Sequence, residues 1–397
     1  MSNLNQTPSG ERLHIGIFGR RNAGKSSIIN AITGQNLSIV SDVKGTTTDP
    51  VSKAMELLPF GPVMLFDTPG LDDEGLLGEK RIEKALSVLN KTDVALLVVD
   101  SSEGKKDEDI KIEEEIKKRH IPYIIVYNKS DLFKRENLLE NEISVFSETK
   151  ENIELLKEKI LSIVPKTEEK SLLKGIVSEG DTVILVIPID KSAPKGRLIL
   201  PQQQTIRDIL DLKANSVVVG VEGLKSVIDN LKTPPRLVIC DSQVFKAVAE
   251  IVPQSIPLTS FSILFARYKG DLEILTNGIK ALENLKDGDR ILISEGCTHH
   301  RQCGDIGSVK IPKMIENTLK IKPNYQFTSG GTFPESLDGI KLVIHCGGCM
   351  LNEREMKNRI EKAQNENTPI VNYGVLISHL SGILKRSLEI FDINDSI

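Results

Sequence analysis

The sequence predicts an α/β protein of three domains, a P-loop domain followed by two smaller α/β domains with largely parallel sheets. Three observations predict it. A short apolar run, His14-Ile-Gly-Ile-Phe, leads straight into the glycine-rich loop Gly19-Arg-Arg-Asn-Ala-Gly24-Lys25-Ser26 and then into a helical segment. Apolar runs then alternate with helix-periodic segments, and the alternation restarts near residues 181 and 267. The 397 residues exceed what one ordinary core holds. The expected boundaries are 1–165, a charged linker at 166–180, 181–266 and 267–397.

Composition narrows the class. With 39% apolar and 27% charged residues the chain reads as globular, and its net charge of −4 lends no support to a nucleic-acid partner. The start, Met1 to Arg12, is polar, and no apolar stretch approaches a membrane span, so the expectation is a cytoplasmic protein without a membrane partner. In that compartment cysteines more often bind metals or catalyse than form disulfides. Four of the five, Cys297, Cys303, Cys346 and Cys349, fall in the last quarter of the chain. The fifth, Cys240, ends an apolar strand and reads as a buried structural thiol.

In the first domain, G-x-x-x-x-G-K-S lies between strand and helix. Gly19, Asn22, Ala23, Gly24 and Ser27 belong to a loop and helix start whose N–H groups curl around phosphates. Lys25 pairs with the β/γ oxygens and Ser26 puts a hydroxyl on Mg²⁺. A second strand, Val63-Met-Leu-Phe, ends in Asp67-Thr-Pro-Gly70. Here Asp67 serves Mg²⁺, and the Gly70 amide senses a γ-phosphate. A third, Ile124-Ile-Val-Tyr, ends in Asn128-Lys129-Ser130-Asp131, where Asp131 accepts from the ring N1–H and exocyclic amine that only guanine offers. GTP and GDP are therefore the expected ligands. Gly45-Thr46-Thr47-Thr48-Asp49 reads as a switch, with Thr47 completing the Mg²⁺ shell. Leu71 follows Gly70 where Ras-like proteins carry a water-orienting Gln. Asp72, Asp73 and Glu74 follow in turn. Ser147-Glu148-Thr149, after Ile143-Ser-Val, is the nearest match to a further guanine-sensing loop.

The middle domain carries no chemistry of its own. Strands are expected at 181–189, 216–219 and 235–240, with helices near 205–212, 223–231 and 243–251. Three strands make a thin core whose edges favour self-association. Residues 190–202 read as a long connection.

In the last domain, Arg290-Ile-Leu-Ile-Ser runs into Cys297-Thr298-His299-His300, and Lys341-Leu-Val-Ile into His345-Cys346-Gly347-Gly348-Cys349. Two strands ending in such knots would put both at the carboxyl edge of one sheet, where open α/β sheets place their sites. Four readings follow. They are a 4Fe-4S cluster on Cys297, Cys346 and Cys349 with one labile corner, a zinc site completed by His299 or His345, a redox Cys-x-x-Cys pair, and coincidence. Beside the thiols, His299, His345, Glu295, Asp305, Cys303 or water are the candidates for a fourth ligand.

The first-domain motifs resemble the translation-factor-like GTPases. Gly-Thr-Thr-x-Asp and Asn22 resemble the TrmE-Era group within them, where the P-loop Asn helps hold K⁺ in place of an arginine finger. With Leu71, this implies slow, potassium-stimulated GTP hydrolysis. Taken with Cys-x-His and His-Cys-x-x-Cys behind a small α/β domain, the whole chain resembles the FeFe-hydrogenase maturation GTPases. The resemblance implies a scaffold whose Cys297, Cys346 and Cys349 hold a 4Fe-4S cluster, with His299 and His345 beside it. It further implies a di-iron precursor as cargo, radical-SAM maturases and apo FeFe-hydrogenase as partners, and a homodimer built on the middle domain. Cys303 lies outside the family pattern. The alternative function is a zinc-bearing GTPase of ribosome or tRNA processing.

Overall fold

The structure, a computed structural model, describes residues 7–34, 51–70, 76–165, 170–189, 198–297, 305–391 and 393, with the side chains of 76–80 excepted. The switch at 45–49, the residues 71–75, the linker residues 166–169, the connection 190–197 and the segment 298–304 lie outside the described residues, and with them Thr47, His299 and Cys303. The chain divides into two compact units, 1–167 and 168–397.

The first unit is a six-stranded sheet of order β2-β3-β1-β4-β5-β6. Its strands are β1 (Leu13–Phe18), β2 (Val51–Leu57), β3 (Gly61–Asp67), β4 (Val94–Asp100), β5 (Tyr123–Asn128) and β6 (Glu142–Ser144). All neighbours are parallel except β2 and β3, an antiparallel pair that matches Val51 with Asp67 and Leu57 with Gly61. The central strands are mostly apolar, with polar residues chiefly at their carboxyl ends, and all seven residues of β4 are buried. Both faces are therefore covered, as a parallel sheet requires. One core contains Ile15, Ile17, Val98 and Val126 under the helix Lys25–Thr33; the other contains Phe18, Leu97 and Ile125 under the helix Asp107–Lys118. The sheet delivers the carboxyl ends of β1, β3, β4 and β5 to one edge.

The second unit holds two four-stranded, all-parallel sheets. The first, of order β10-β9-β7-β8, contains β7 (Thr182–Val186), β8 (Asn215–Val219), β9 (Leu237–Cys240) and β10 (Leu258–Ser260). The second, of order β12-β11-β13-β14, contains β11 (Arg290–Glu295), β12 (Asn324–Ser329), β13 (Ile340–His345) and β14 (Ile370–Asn372). The middle domain thus has four strands where three were expected; the three-residue β10 is too short to show a pattern. The expected boundary at 266/267 falls inside the helix Phe261–Lys269. That helix gives Phe261, Leu264 and Phe265 to a core with β7 and β9, and Ile263 and Ala266 to one with β11 and β13. The next segment is an α-helix, Leu272–Asn277, that tightens into a 3₁₀ helix, Gly278–Asn284. Cys240 is fully buried, and burial pushes its thiol well above the usual range. No described helix is long and apolar enough to cross a membrane.

Candidate functional site

In the first unit the strand ends form a cleft of about 610 Å³. Its walls include Asn22, Gly24, Lys25, Ser26 and Ser27 from the P-loop, Gly70, then Asn128, Lys129, Asp131 and Ser147. Local sterics explain the glycines. Gly19 has φ 140°, and a Cβ there would lie 2.2 Å from the Val98 carbonyl oxygen. Gly24 has φ 94°, and a Cβ would lie 2.1 Å from Asn128 Nδ2. Asn22, at φ 61°, takes the left-handed conformation that Asn tolerates better than most residues. Gly70 packs against the P-loop itself, since its Cβ would meet the Arg21 backbone at 2.8–2.9 Å.

The polar groups are held by one another. Lys25 is buried, and its Nζ donates to the Gly19 and Arg20 carbonyls, each at 2.9 Å, which curls the loop around the ammonium. Ser26 Oγ donates to Asp67 Oδ2 at 2.8 Å, so the two expected Mg²⁺ ligands are neighbours. Burial raises the Asp67 carboxyl, against the pull of Ser26 and Lys25. Asn128 Nδ2 donates to the Ala23 carbonyl at 3.1 Å while Oδ1 accepts the Ser147 amide at 3.3 Å. One side chain thus joins P-loop, β5 and the loop after β6, and places Ser147 in the wall.

Sequence reasoning missed several participants. Arg21, Thr68, Leu132 and Phe146 also line the cleft. Lys129 Nζ donates to Asp100 Oδ2 at 2.7 Å. Burial would raise the Asp100 carboxyl, but hydrogen bonds from Lys129 and from the Ser102 hydroxyl and amide outweigh it and hold it down at about 2. The signal was the position of Asp100 at the end of an apolar strand, where the β4–β5 register sets it beside Asn128.

In the second unit β11 and β13 are parallel neighbours that match Ser294 with His345. Glu295-Gly296-Cys297 and His345-Cys346 therefore leave the same sheet edge side by side. Cys346 Sγ accepts the Gly296 amide at 3.0 Å and the Gly348 amide at 3.4 Å. Burial pushes both thiols up, Cys349 to about 12 with the help of neighbouring Cys346. Lys269 Nζ donates to the carbonyls of Cys349 (3.2 Å) and Leu351 (2.6 Å) beneath the loop. His345 is fully buried. Its Nδ1 bonds the Cys346 carbonyl oxygen at 2.7 Å, and Nε2 lies 3.0 Å from Arg359 Nη1. Burial first and the Arg359 charge second push the imidazole down to about 3, so it is neutral. Asp305 Oδ2 caps the turn Ile306–Lys310 by accepting from the Ser308 amide and hydroxyl, each at 2.7 Å. Glu295 is buried, and Tyr373 Oη donates to it at 3.4 Å.

The described surroundings suit a thiolate-ligated anionic cluster. Backbone amides already point at the Cys346 sulfur, the buried Asn372 Nδ2 has no partner among the described residues, and Lys269 and Arg359 put positive charge beneath the loop. The glycines of the Cys-x-x-Cys loop are packed closely: a Cβ on Gly347 would lie 3.2 Å from Phe265 Cβ, and one on Gly348 3.3 Å from Met356 Sδ. Among the described residues no three Cys, His, Asp or Glu side chains gather closely enough to hold one metal ion. Both ring nitrogens of His345 already have protein partners, and Asp305 Oδ2 is taken by its cap.

The fold and cleft define a P-loop GTPase unit on a chain whose second unit presents thiols at a sheet edge. Residues 14–129 match the sequence model of the 50S ribosome-binding GTPase family. Residues 172–270 match that of the hydrogen maturase F dimerization domain, and 272–390 that of the hydrogen maturase F tetramerization domain. The last two together take in more than half of the chain, which belongs to the hydrogen maturase F family. Relatives of the GTPase part include GTPase Der of Wolinella succinogenes, 37% identical over 178 residues, covering 40% of this chain and 37% of that protein. Another is the tRNA modification GTPase MnmE of Clostridioides difficile, 32% identical over 213 residues, covering 51% of this chain and 46% of that protein. The chain spans less than half the length of either. Among solved structures, a variant of Aquifex aeolicus Era bound to GDP.AlF4⁻ is 20% identical and covers 52% of this chain and 92% of that one, at a TM-score of 0.34.

Proposed function

We propose that this chain is a GTP-hydrolysing scaffold of FeFe-hydrogenase maturation. It carries a 4Fe-4S cluster, accepts a di-iron precursor bearing CO and cyanide from radical-SAM maturases, and passes it to apo FeFe-hydrogenase. The observation that carries the reading is the union, in one chain, of the phosphate, magnesium and guanine motifs with two hydrogen maturase F domains.

In the GTPase unit, Lys25 and the P-loop amides bind the β/γ oxygens. Ser26 Oγ holds Mg²⁺ and the Asp67 carboxylate holds it through water, with Thr47 completing the shell. Asp131 reads guanine, and Asn128 keeps the base loop and the phosphate loop in register. Asn22 holds K⁺, and Leu71 cannot orient water, so hydrolysis is slow without the potassium charge. In the second unit Cys297, Cys346 and Cys349 hold the cluster. When bound, the cluster would supply an iron without a cysteine ligand as a point of attachment for the precursor. The protein's own part is to exclude water from the Cys346–Cys349 loop and direct N–H groups at its sulfurs. Homo-oligomers form through the second unit; β8, at a sheet edge with Val218 half exposed, offers unpaired backbone groups for it.

Anaerobic reconstitution tests the cluster. Iron and sulfide analysis with EPR should show about four irons per chain, and a colourless zinc-loaded product would sink the reading. Activation of apo-hydrogenase by precursor-loaded chain tests transfer. RNA binding at low salt would instead favour the ribosome or tRNA role.

A further inference from the structure

We infer that Arg359 is the positioning residue of the cysteine site, a buried guanidinium that ties the backbone around Cys297 to the backbone around Cys346. This rests on the reading of Cys297, Cys346 and Cys349 as ligands of one metal group. Arg359 lies on the helix Glu353–Asn365, 3% exposed, and its two terminal nitrogens make four contacts.

Two of the contacts run to the two cysteine segments. Nη2 donates to the Gly330 carbonyl at 2.7 Å, and the Gly330 amide in turn donates to the Cys297 carbonyl at 3.2 Å. Nη1 donates to His345 Nε2 at 3.0 Å. A guanidinium has no acceptor, so Nε2 must accept, and the ring proton sits on Nδ1, which donates to the Cys346 carbonyl. Nη1 also reaches Ser294 Oγ at 3.3 Å, in the residue whose carbonyl accepts the Cys346 amide at 3.1 Å. Glu355 Oε1, one helical turn back and 2.6 Å from Nη2, balances the charge and anchors the fork.

A buried ion pair is a weak source of stability, because desolvation offsets the attraction. What this one supplies is direction. The ends of β11 and β13 and the turn after β12 are all referred to one rigid plane. A lysine at 359 offers a single point of donation and cannot span them.

The test uses the full chain, metal-free and anaerobic. Co²⁺ is titrated and read by thiolate-to-cobalt charge-transfer absorbance, and the His345 tautomer is read by long-range ¹H–¹⁵N NMR of histidine-labelled protein. R359K and R359Q should each bind Co²⁺ about tenfold more weakly. Both should lose the single Nδ1–H tautomer of His345 while GTP hydrolysis by the other unit stays unchanged. S294A, which removes one hydroxyl, should lose a smaller part of the affinity and guards against misfolding of the arginine variants. Affinities of R359K and R359Q within about twofold of wild type, with the wild-type tautomer of His345 kept in both, overturn the proposal. If the wild-type chain gives no thiolate–cobalt band, the metal-site reading fails, and the tautomer comparison still decides the role of Arg359.

Discussion

The Asn128 side-chain amide donates to the Ala23 carbonyl at 3.1 Å across 105 positions of sequence. It sits so close to Gly24 that no side chain fits between them. The residue named by the guanine motif is therefore also the strut that sets the phosphate loop.

Replacing Asn128 should damage two properties together. Asn128→Ala leaves the Ala23 carbonyl and the Ser147 amide without their partner. It should lower the stability of the first unit by about 1–3 kcal/mol, read by denaturant unfolding. GTP and GDP affinity should fall together, read by titration. An equal melting profile with weaker nucleotide binding would leave Asn128 a base contact alone.

The Lys129–Asp100 pair predicts an acid limb. Asp100 is held at about 2, below its ordinary 3.8. A carboxyl depressed in the folded state adds stability that is complete above its unfolded value and lost as pH falls through the folded one. Wild type should thus lose stability between pH 3.8 and about 2, and Asp100→Asn should lose less over that window. Hydrogen exchange of the β4 and β5 amides as a function of pH measures it.

Potassium should matter through one residue. GTP turnover in KCl should exceed that in NaCl, and Asn22→Ala should bring the two rates together while GDP affinity changes little. Equal rates in both salts for the wild-type chain would remove the role given to Asn22.

Cys297→Ser, Cys346→Ser and Cys349→Ser should each lower the iron and sulfide retained after anaerobic desalting. Cys303→Ser and Cys240→Ser should not. GTP hydrolysis should be the same in all five, since the thiols and the nucleotide motifs belong to different units.

What was legible in the sequence follows from where the physics is local. The P-loop, Asp67, Gly70 and the Asn128–Asp131 run each sit at the end of an apolar strand, and parallel strands buried on both faces spell themselves out as unbroken apolar runs. The pairing of the two cysteine knots was legible for the same reason, since β11 and β13 are such runs. β12, Asn324-Tyr-Gln-Phe-Thr-Ser, was not. It is an edge strand with no buried residue, so it shows no apolar run and no clear buried face despite its Tyr, Phe and Thr. β2 was missed for a like reason, with only Leu57 buried. Arg359 was illegible because a charged residue on a helix reads as solvent-facing until its packing shows what it meets, whereas Asp100 left its place at the end of an apolar strand as its one signal.

The pairing of Val51 with Asp67 at the open end of the β2–β3 hairpin has a mechanical meaning. The chain enters β2 directly from the threonine-rich segment and leaves β3 into the stretch after Gly70. The strand that follows the threonine-rich segment in sequence is thus hydrogen-bonded to the strand end that carries Asp67. The seven-residue ladder ties that strand end to β2 on one side while β1 holds it on the other, so Asp67 is gripped from both flanks.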